Sequence, residues 1–263
     1  MSALTAREIS LSADERLLLE HVSFHVACGE LVGLIGPNGA GKSTLMRALA
    51  GLAPCQAGAV LCGDRPLSEL APAQRARLLG YLPQGAIPHW PLPVEAVVEL
   101  GRLPHRRWWQ ATTAADRLAV ERALGMADVH HLRGRPVTQL SGGERLRVLL
   151  ARLFATDPLF ILADEPVAAL DPYHQLQIME LLRAHTRERQ AGRGGVVVVL
   201  HDLNLAARFC DRLVLLANGR VAVTGAPREV LQPQWLRAVY GVEPRLLESD
   251  GEFAVVPWRR LPD

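Results

Sequence analysis

The chain has 263 residues, enough for one large or two small domains with a buried core. Its 49% hydrophobic and 21% charged residues exclude a disordered chain, and a formal net charge of +2 argues for no nucleic-acid or acidic partner. No apolar run approaches the roughly 20 residues of a membrane-spanning helix, the first ten residues do not read as a secretory signal, and Cys28, Cys55, Cys62 and Cys210 lack metal-site spacing and read as reduced thiols.

In chain order, residues 5–35 read as short strands, the last of them Leu31-Val-Gly-Leu-Ile35. "GPNGAGKST" follows, from Gly36 to Thr44, and then a helix from Lys42 to Ala50 with Gly51 as its cap. Ala59–Cys62 and Leu78–Leu82 are further strands. The texture changes between Gly85 and Gln139, where the proline-rich "AIPHWPLP" leads to helical stretches near Val94–Gly101 and Thr113–Gly125. This segment is predicted to be an inserted helical subdomain, residues 85–139. A helix over Gly143–Phe154 is entered through Ser141-Gly142. Leu159–Ala163 is a strand, and Pro172–Arg189 a helix with Leu176, Met179 and Leu182 on one face. Val196–Leu200 is an apolar strand and Asn204–Phe209 a short helix. Residues 233–263 read as a small appendix beyond a main domain of residues 1–232. Strands alternating with helices predict an α/β core around a parallel sheet.

The spacing Gly36-x-x-x-x-Gly41-Lys42-Ser43 is that of a phosphate-binding loop. Its glycines let successive N–H groups converge on one anion, with a helix N-terminus behind them. The loop Gly36, Pro37, Asn38, Gly39, Ala40, Gly41, Lys42, Ser43 and Thr44 is therefore the candidate nucleotide cradle. Lys42 would reach the β- and γ-phosphates and Ser43 would hold Mg²⁺. "FILADEP" ends an apolar strand in two carboxylates. Asp164 can hold Mg²⁺ through water, and Glu165 can orient and deprotonate an attacking water. "LSGGE", Leu140 to Glu144, opens a second helix on a good N-cap, Ser141, with Gly142 and Gly143 permitting close approach. Two anion-seeking helix starts and one lysine-bearing loop suggest a two-fold dimer, each nucleotide lying between the loop of one copy and Ser141 of the other.

The order of "GPNGAGKST", "YLPQ", "LSGGE", "FILADEP", "AALD" and "VLHD" resembles that of ABC transporter ATPase subunits, over roughly residues 5–232. The resemblance implies a P-loop NTPase (RecA-like) core, an N-terminal antiparallel β subdomain and an inserted α-helical subdomain. It implies ATP and Mg²⁺ as cofactors. Gln84 would touch Mg²⁺ and water and relay to the membrane subunit. Ser141, Gly142 and Gly143 would contact the γ-phosphate from the opposite subunit, Ala168–Asp171 would lie at the dimer seam, and His201 would stand beside the γ-phosphate. On the residues alone, Gln84 also reads as an exposed loop residue and His201 as a strand-end histidine. "VELGRLPH", "LDPYHQ" and the stretch Leu200–Leu231 resemble the group serving iron–siderophore, heme and cobalamin uptake. The implied partners are a second copy, a multi-spanning permease dimer and, through it, a substrate-binding protein. The implied location is the cytoplasmic face of the inner membrane. Other readings within the family are another importer, an exporter, or a soluble ATPase without transport. Outside the family, a P-loop kinase would not need "LSGGE".

Three departures from the family pattern stand out. Residues 1–23 hold no Phe, Tyr or Trp to stack on adenine near "LSADERL". Val167 and Ala168 replace the usual Thr and Ser, and Leu146 stands where Gln is usual. His89, His105, His130 and His131 read as surface histidines, and Trp108-Trp109 with Arg106 and Arg107 as a partner-facing patch or subdomain core.

Overall fold

The structure, a computed structural model, describes residues 3–13, 16–86, 88, 90–106, 111–188, 194–249 and 252–262. Two long strands, β1 (Ala3–Ala13) and β2 (Arg16–Ala27), pair antiparallel where the sequence suggested shorter ones. Glu8 and His21 sit at φ 46° and 48° near irregularities in their register. Such bulges bend a ribbon and interrupt the alternation by which strands are recognised. β1 also pairs with β4 (Ala57–Cys62), and β4 with β5 (Arg65–Pro66), completing a four-stranded sheet.

The central sheet starts from β3 (Leu31–Ile35), followed by α1 (Lys42–Leu49). After α2 (Pro72–Leu78) comes β6 (Leu79–Leu82), then α3 (Val94–Glu99), α4 (Ala114–Met126) and α5 (Gly142–Thr156). The chain returns through β7 (Phe160–Ala163), α6 (Pro172–Glu188), β8 (Gly195–Val199), α7 (Leu203–Phe209), β9 (Arg212–Ala217) and β10 (Arg220–Gly225). Strand order is β10-β9-β3-β8-β7-β6. All but β10 run parallel, so β3, β6, β7 and β8 deliver their C-terminal ends to one edge.

Both faces of this sheet are covered, which is why its strands read as unbroken apolar runs. Ile35, Ile161, Val196 and Val198 face a helical layer, while Leu34, Leu162, Val197 and Val199 face α1 and the antiparallel sheet. Met179 and Leu182 of α6 are buried in the helical layer, with Leu176 packed at its margin. α3 and α4 both pack on α5, which follows Gln139 in the chain. The helix expected through Gly101 tightens instead to a 3-10 turn over Leu100–His105. There Gly101 lies so close to α5 that a Cβ would stand 2.2 Å from the Arg152 carbonyl oxygen.

The tail carries α8 (Pro227–Val230), α9 (Pro233–Tyr240) and a hairpin of β11 (Val242–Ser249) and β12 (Glu252–Arg260). The sequence suggested an appendix. Instead, Leu236 and Val255 are buried in the same core as Ile35 and Val198. Among the described residues, no helix is long and apolar enough to cross a membrane.

Candidate nucleotide site

The loop that leaves β3 is shaped by its glycines. Gly36 and Gly41 have φ of 148° and 100°. A Cβ on Gly36 would stand 2.3 Å from the Leu216 carbonyl oxygen, and one on Gly41 2.8 Å from Leu19 Cδ2. Only glycine accepts both the left-handed backbone and these approaches. The loop wraps the end of α1, whose first residue is Lys42.

Lys42 is 5% exposed, and its Nζ donates to the carbonyls of Gly36 at 2.7 Å and Pro37 at 2.9 Å. Burial pulls its pKa down, opposed by the negative charges of Glu165 and Asp164. A buried ammonium held by main-chain carbonyls suits an incoming anion. The neighbouring Ser43 hydroxyl donates to Asp164 Oδ1 at 3.3 Å, and Tyr81 Oη reaches Asp164 Oδ2 at 3.5 Å. Asp164 is 2% exposed, and burial pushes its carboxyl upward. Ser43 and Asp164 form an oxygen donor set that fits a hard cation such as Mg²⁺.

Beyond Asp164 the chain turns sharply, and Glu165 occupies the left-handed region at φ 52°. A non-glycine residue held there is strained, a feature common at functional sites. The turn places Glu165 between two partners. Gln84 Nε2 donates to Glu165 Oε2 at 2.6 Å, and His201 Nε2 lies 2.6 Å from Glu165 Oε1. The three residues come from the ends of β6, β7 and β8.

They open on a cavity of about 810 Å³, lined also by Asn38, Gly39, Gly41, Lys42, Ser43 and Thr44. Its far wall is Arg16, Leu17 and Leu18 of β2 and the turn Asn218-Gly219. No Phe, Tyr or Trp lines it among the described residues. Asn218-Gly219 was legible as a hairpin signal between apolar strands, whereas the Tyr81 contact to Asp164 had no signal in the sequence.

Ser141, Gly142 and Gly143 do not line this cavity. Ser141 caps α5: its Oγ accepts from the Glu144 N–H at 3.3 Å, and Glu144 Oε2 accepts from the Ser141 N–H at 2.8 Å. Ser141 and Gly142 are exposed, and Gly143 is buried beneath His174. His174 Nδ1 lies 2.7 Å from Asp171 Oδ2, so the turn after β7 is tied to the start of α5. Of the departing residues, Val167 is buried, Ala168 exposed, and Leu146 half-buried against the helical core.

Among the described residues the histidines belong to no metal-ligand cluster. His105 is held by the Thr156 carbonyl at 2.8 Å and His130 lies 3.2 Å from Glu121. His89, Arg107 and Trp108-Trp109 lie outside the described residues.

A phosphate loop at a parallel strand end, a buried lysine, and carboxylates at the end of another strand of the same sheet define a P-loop nucleoside triphosphatase. The family model described as ABC transporter matches residues 19–168, and the chain belongs to that family. It is 44% identical over 245 residues to the hemin import ATP-binding protein HmuV of Pseudomonas aeruginosa, covering 91% of this chain and 93% of that one. It is 42% identical over 254 residues to the cobalamin import ATP-binding protein BtuD of Halobacterium salinarum, covering 94% of this chain and 60% of that one. Among solved structures it resembles a metal-chelate type ABC transporter in an inward-facing conformation, with a TM-score of 0.84, 25% identity and 98% of both chains covered. It also resembles a dimeric bacterial ABC transporter cassette, with a TM-score of 0.73, 30% identity, and 86% and 99% covered. The fold is accordingly an ABC ATPase cassette: a P-loop α/β core, an antiparallel β region and a helical region.

Proposed function

We propose that this chain is the ATP-hydrolysing subunit of an importer for a metal chelate of the heme, cobalamin or ferric-siderophore type. The observation that carries the reading is Glu165, held between Gln84 and His201 at the mouth of a cavity floored by the phosphate loop. The likeness to hemin and cobalamin import subunits supports the cargo class.

ATP enters with its phosphates on the backbone N–H groups of Gly36–Thr44. Lys42 turns from the Gly36 and Pro37 carbonyls to the β- and γ-phosphates. Ser43, Asp164 and Gln84 would hold Mg²⁺, which supplies charge neutralisation on the phosphates. Glu165 accepts a proton from a water whose oxygen bonds to the γ-phosphorus. The bond from that phosphorus to the bridging oxygen breaks, and ADP and phosphate leave. His201 steadies the γ-phosphate oxygens and, through Glu165, keeps the carboxylate aimed.

The exposed Ser141 and Gly142, with Gly143 behind them, complete the site of a second copy. The dimer works beneath a multi-spanning permease dimer at the cytoplasmic face of the inner membrane. A substrate-binding protein delivers the chelate from the other side. Closure of the dimer moves the helical region over residues 85–139 and, through Gln84, the permease. Residues 1–232 form the ATPase domain and 233–263 its C-terminal extension.

Purification of the tagged chain from its own membranes tests this reading. A multi-spanning protein is expected to co-purify without nucleic acid. The reconstituted complex should hydrolyse ATP faster with a binding protein loaded with hemin, cobalamin or a ferric siderophore than with the empty one. Stimulation by none of the three overturns the cargo class. Absence of a membrane partner overturns the transport reading.

A further inference from the structure

The C-terminal segment meets the site at a point that the hydrolysis above does not use. α9 ends at Tyr240, where Gly241 turns the chain through a left-handed conformation into β11, which pairs with β12.

That point is Asn204, whose Oδ1 accepts from the Val255 N–H of β12 at 2.7 Å. Asn204 stands in the first turn of α7, three residues after His201. There Asp202 Oδ1 accepts from the N–H groups of Asn204 at 2.7 Å and Leu205 at 3.0 Å. β12 therefore fixes the turn that His201 enters. The anchor is seated in the protein interior through Val255, which is buried in the same core as Leu236 of α9.

We infer that the C-terminal segment is a positioning element of the nucleotide site, in which β12, through Asn204, holds the helix turn behind His201. The inference rests on the reading of Gly36–Thr44 as an ATP loop. Asn204 does not line the cavity, so it acts through another residue. It keeps His201 registered with Glu165 and acts on turnover.

The test uses the full-length chain. Asn204→Leu should lower kcat about three- to tenfold with ATP affinity, measured by calorimetric titration, unchanged, and Asn204→Asp, which keeps an acceptor for Val255, should retain kcat. Unchanged kcat in Asn204→Leu, or an equal loss in Asn204→Asp, overturns the role of Asn204. Failure of the unaltered chain to bind ATP overturns the nucleotide reading instead.

Discussion

His201 Nε2 stands 2.6 Å from Glu165 Oε1, joining the end of β8 to the end of β7 across the mouth of the cavity. The imidazole and Gln84 together leave the Glu165 carboxylate no freedom to swing away. Glu165→Gln keeps the shape and removes the base. It should bind ATP and dimerise, with hydrolysis lowered by about 10²- to 10⁴-fold. Single-turnover assays check this, and near-normal turnover removes Glu165 from the role of base.

A second prediction concerns the shared site. Lys42→Ala removes the buried ammonium and should abolish ATP binding by that subunit. Ser141→Arg places a bulky cation where a second copy would approach. Each homodimer should be inactive, whereas the mixed dimer keeps one composite site with both Lys42 and Ser141 intact. Its ATPase should return to about half of normal by simple site counting. No recovery in dimers shown to contain both variants contradicts the trans arrangement.

Gly143 and His174 give a third. A Cβ on Gly143 would lie 2.9 Å from His174 Cδ2. The ring cannot retreat without leaving Asp171, to which it is joined at 2.7 Å. Gly143→Ala should therefore lower ATPase about tenfold, equivalent to about 1.4 kcal/mol of barrier. Adding His174→Ala should restore part of it by vacating the space. If the double variant is as slow as the sum of the two losses, the contact is not the cause.

The fourth concerns stability. Arg102 Nε donates to Asp116 Oδ1 at 2.9 Å, and both side chains are largely buried. Burial alone would raise the Asp116 carboxyl, but hydrogen bonds from Arg102 and Thr113 bring it down from 3.8 to about 2. A depressed carboxylate stabilises the fold above its unfolded pKa, and this contribution fades as pH falls from about 4 to about 2. Asp116→Asn leaves Arg102 without its anion and should cost roughly 3–5 kcal/mol at neutral pH. Urea unfolding at several pH values should also show a flatter decline over that acid window.

The parts legible in sequence were those with local physical signatures. The glycines of Gly36–Thr44, the apolar strands β3, β7 and β8, and the Ser141 cap announce themselves through backbone freedom, periodicity and hydrogen-bonding chemistry. Glu165 was legible as a carboxylate at a strand end, but its left-handed backbone was not, because a turn's φ depends on what it must reach. Gln84 and His201 were ambiguous by themselves, since only the parallel sheet brings residues 81 and 36 positions away from Glu165 to its two oxygens. The long β1–β2 ribbon was hidden by bulges at Glu8 and His21. The burial of Leu236 and Val255 was hidden because an amphipathic tail has no way to name its partner.

The shared direction of β3, β6, β7 and β8 has an evolutionary consequence. Gly36–Thr44, Gln84, Glu165 and His201 all emerge at one edge, while α3 and α4, between β6 and the Ser141 cap of α5, are a detour that leaves that edge. The length and surface of the detour can therefore drift to suit a new membrane partner without retuning the chemistry. A chain built this way is a transferable engine: its couplings can be refitted to different cargo routes while the combustion chamber is inherited unchanged.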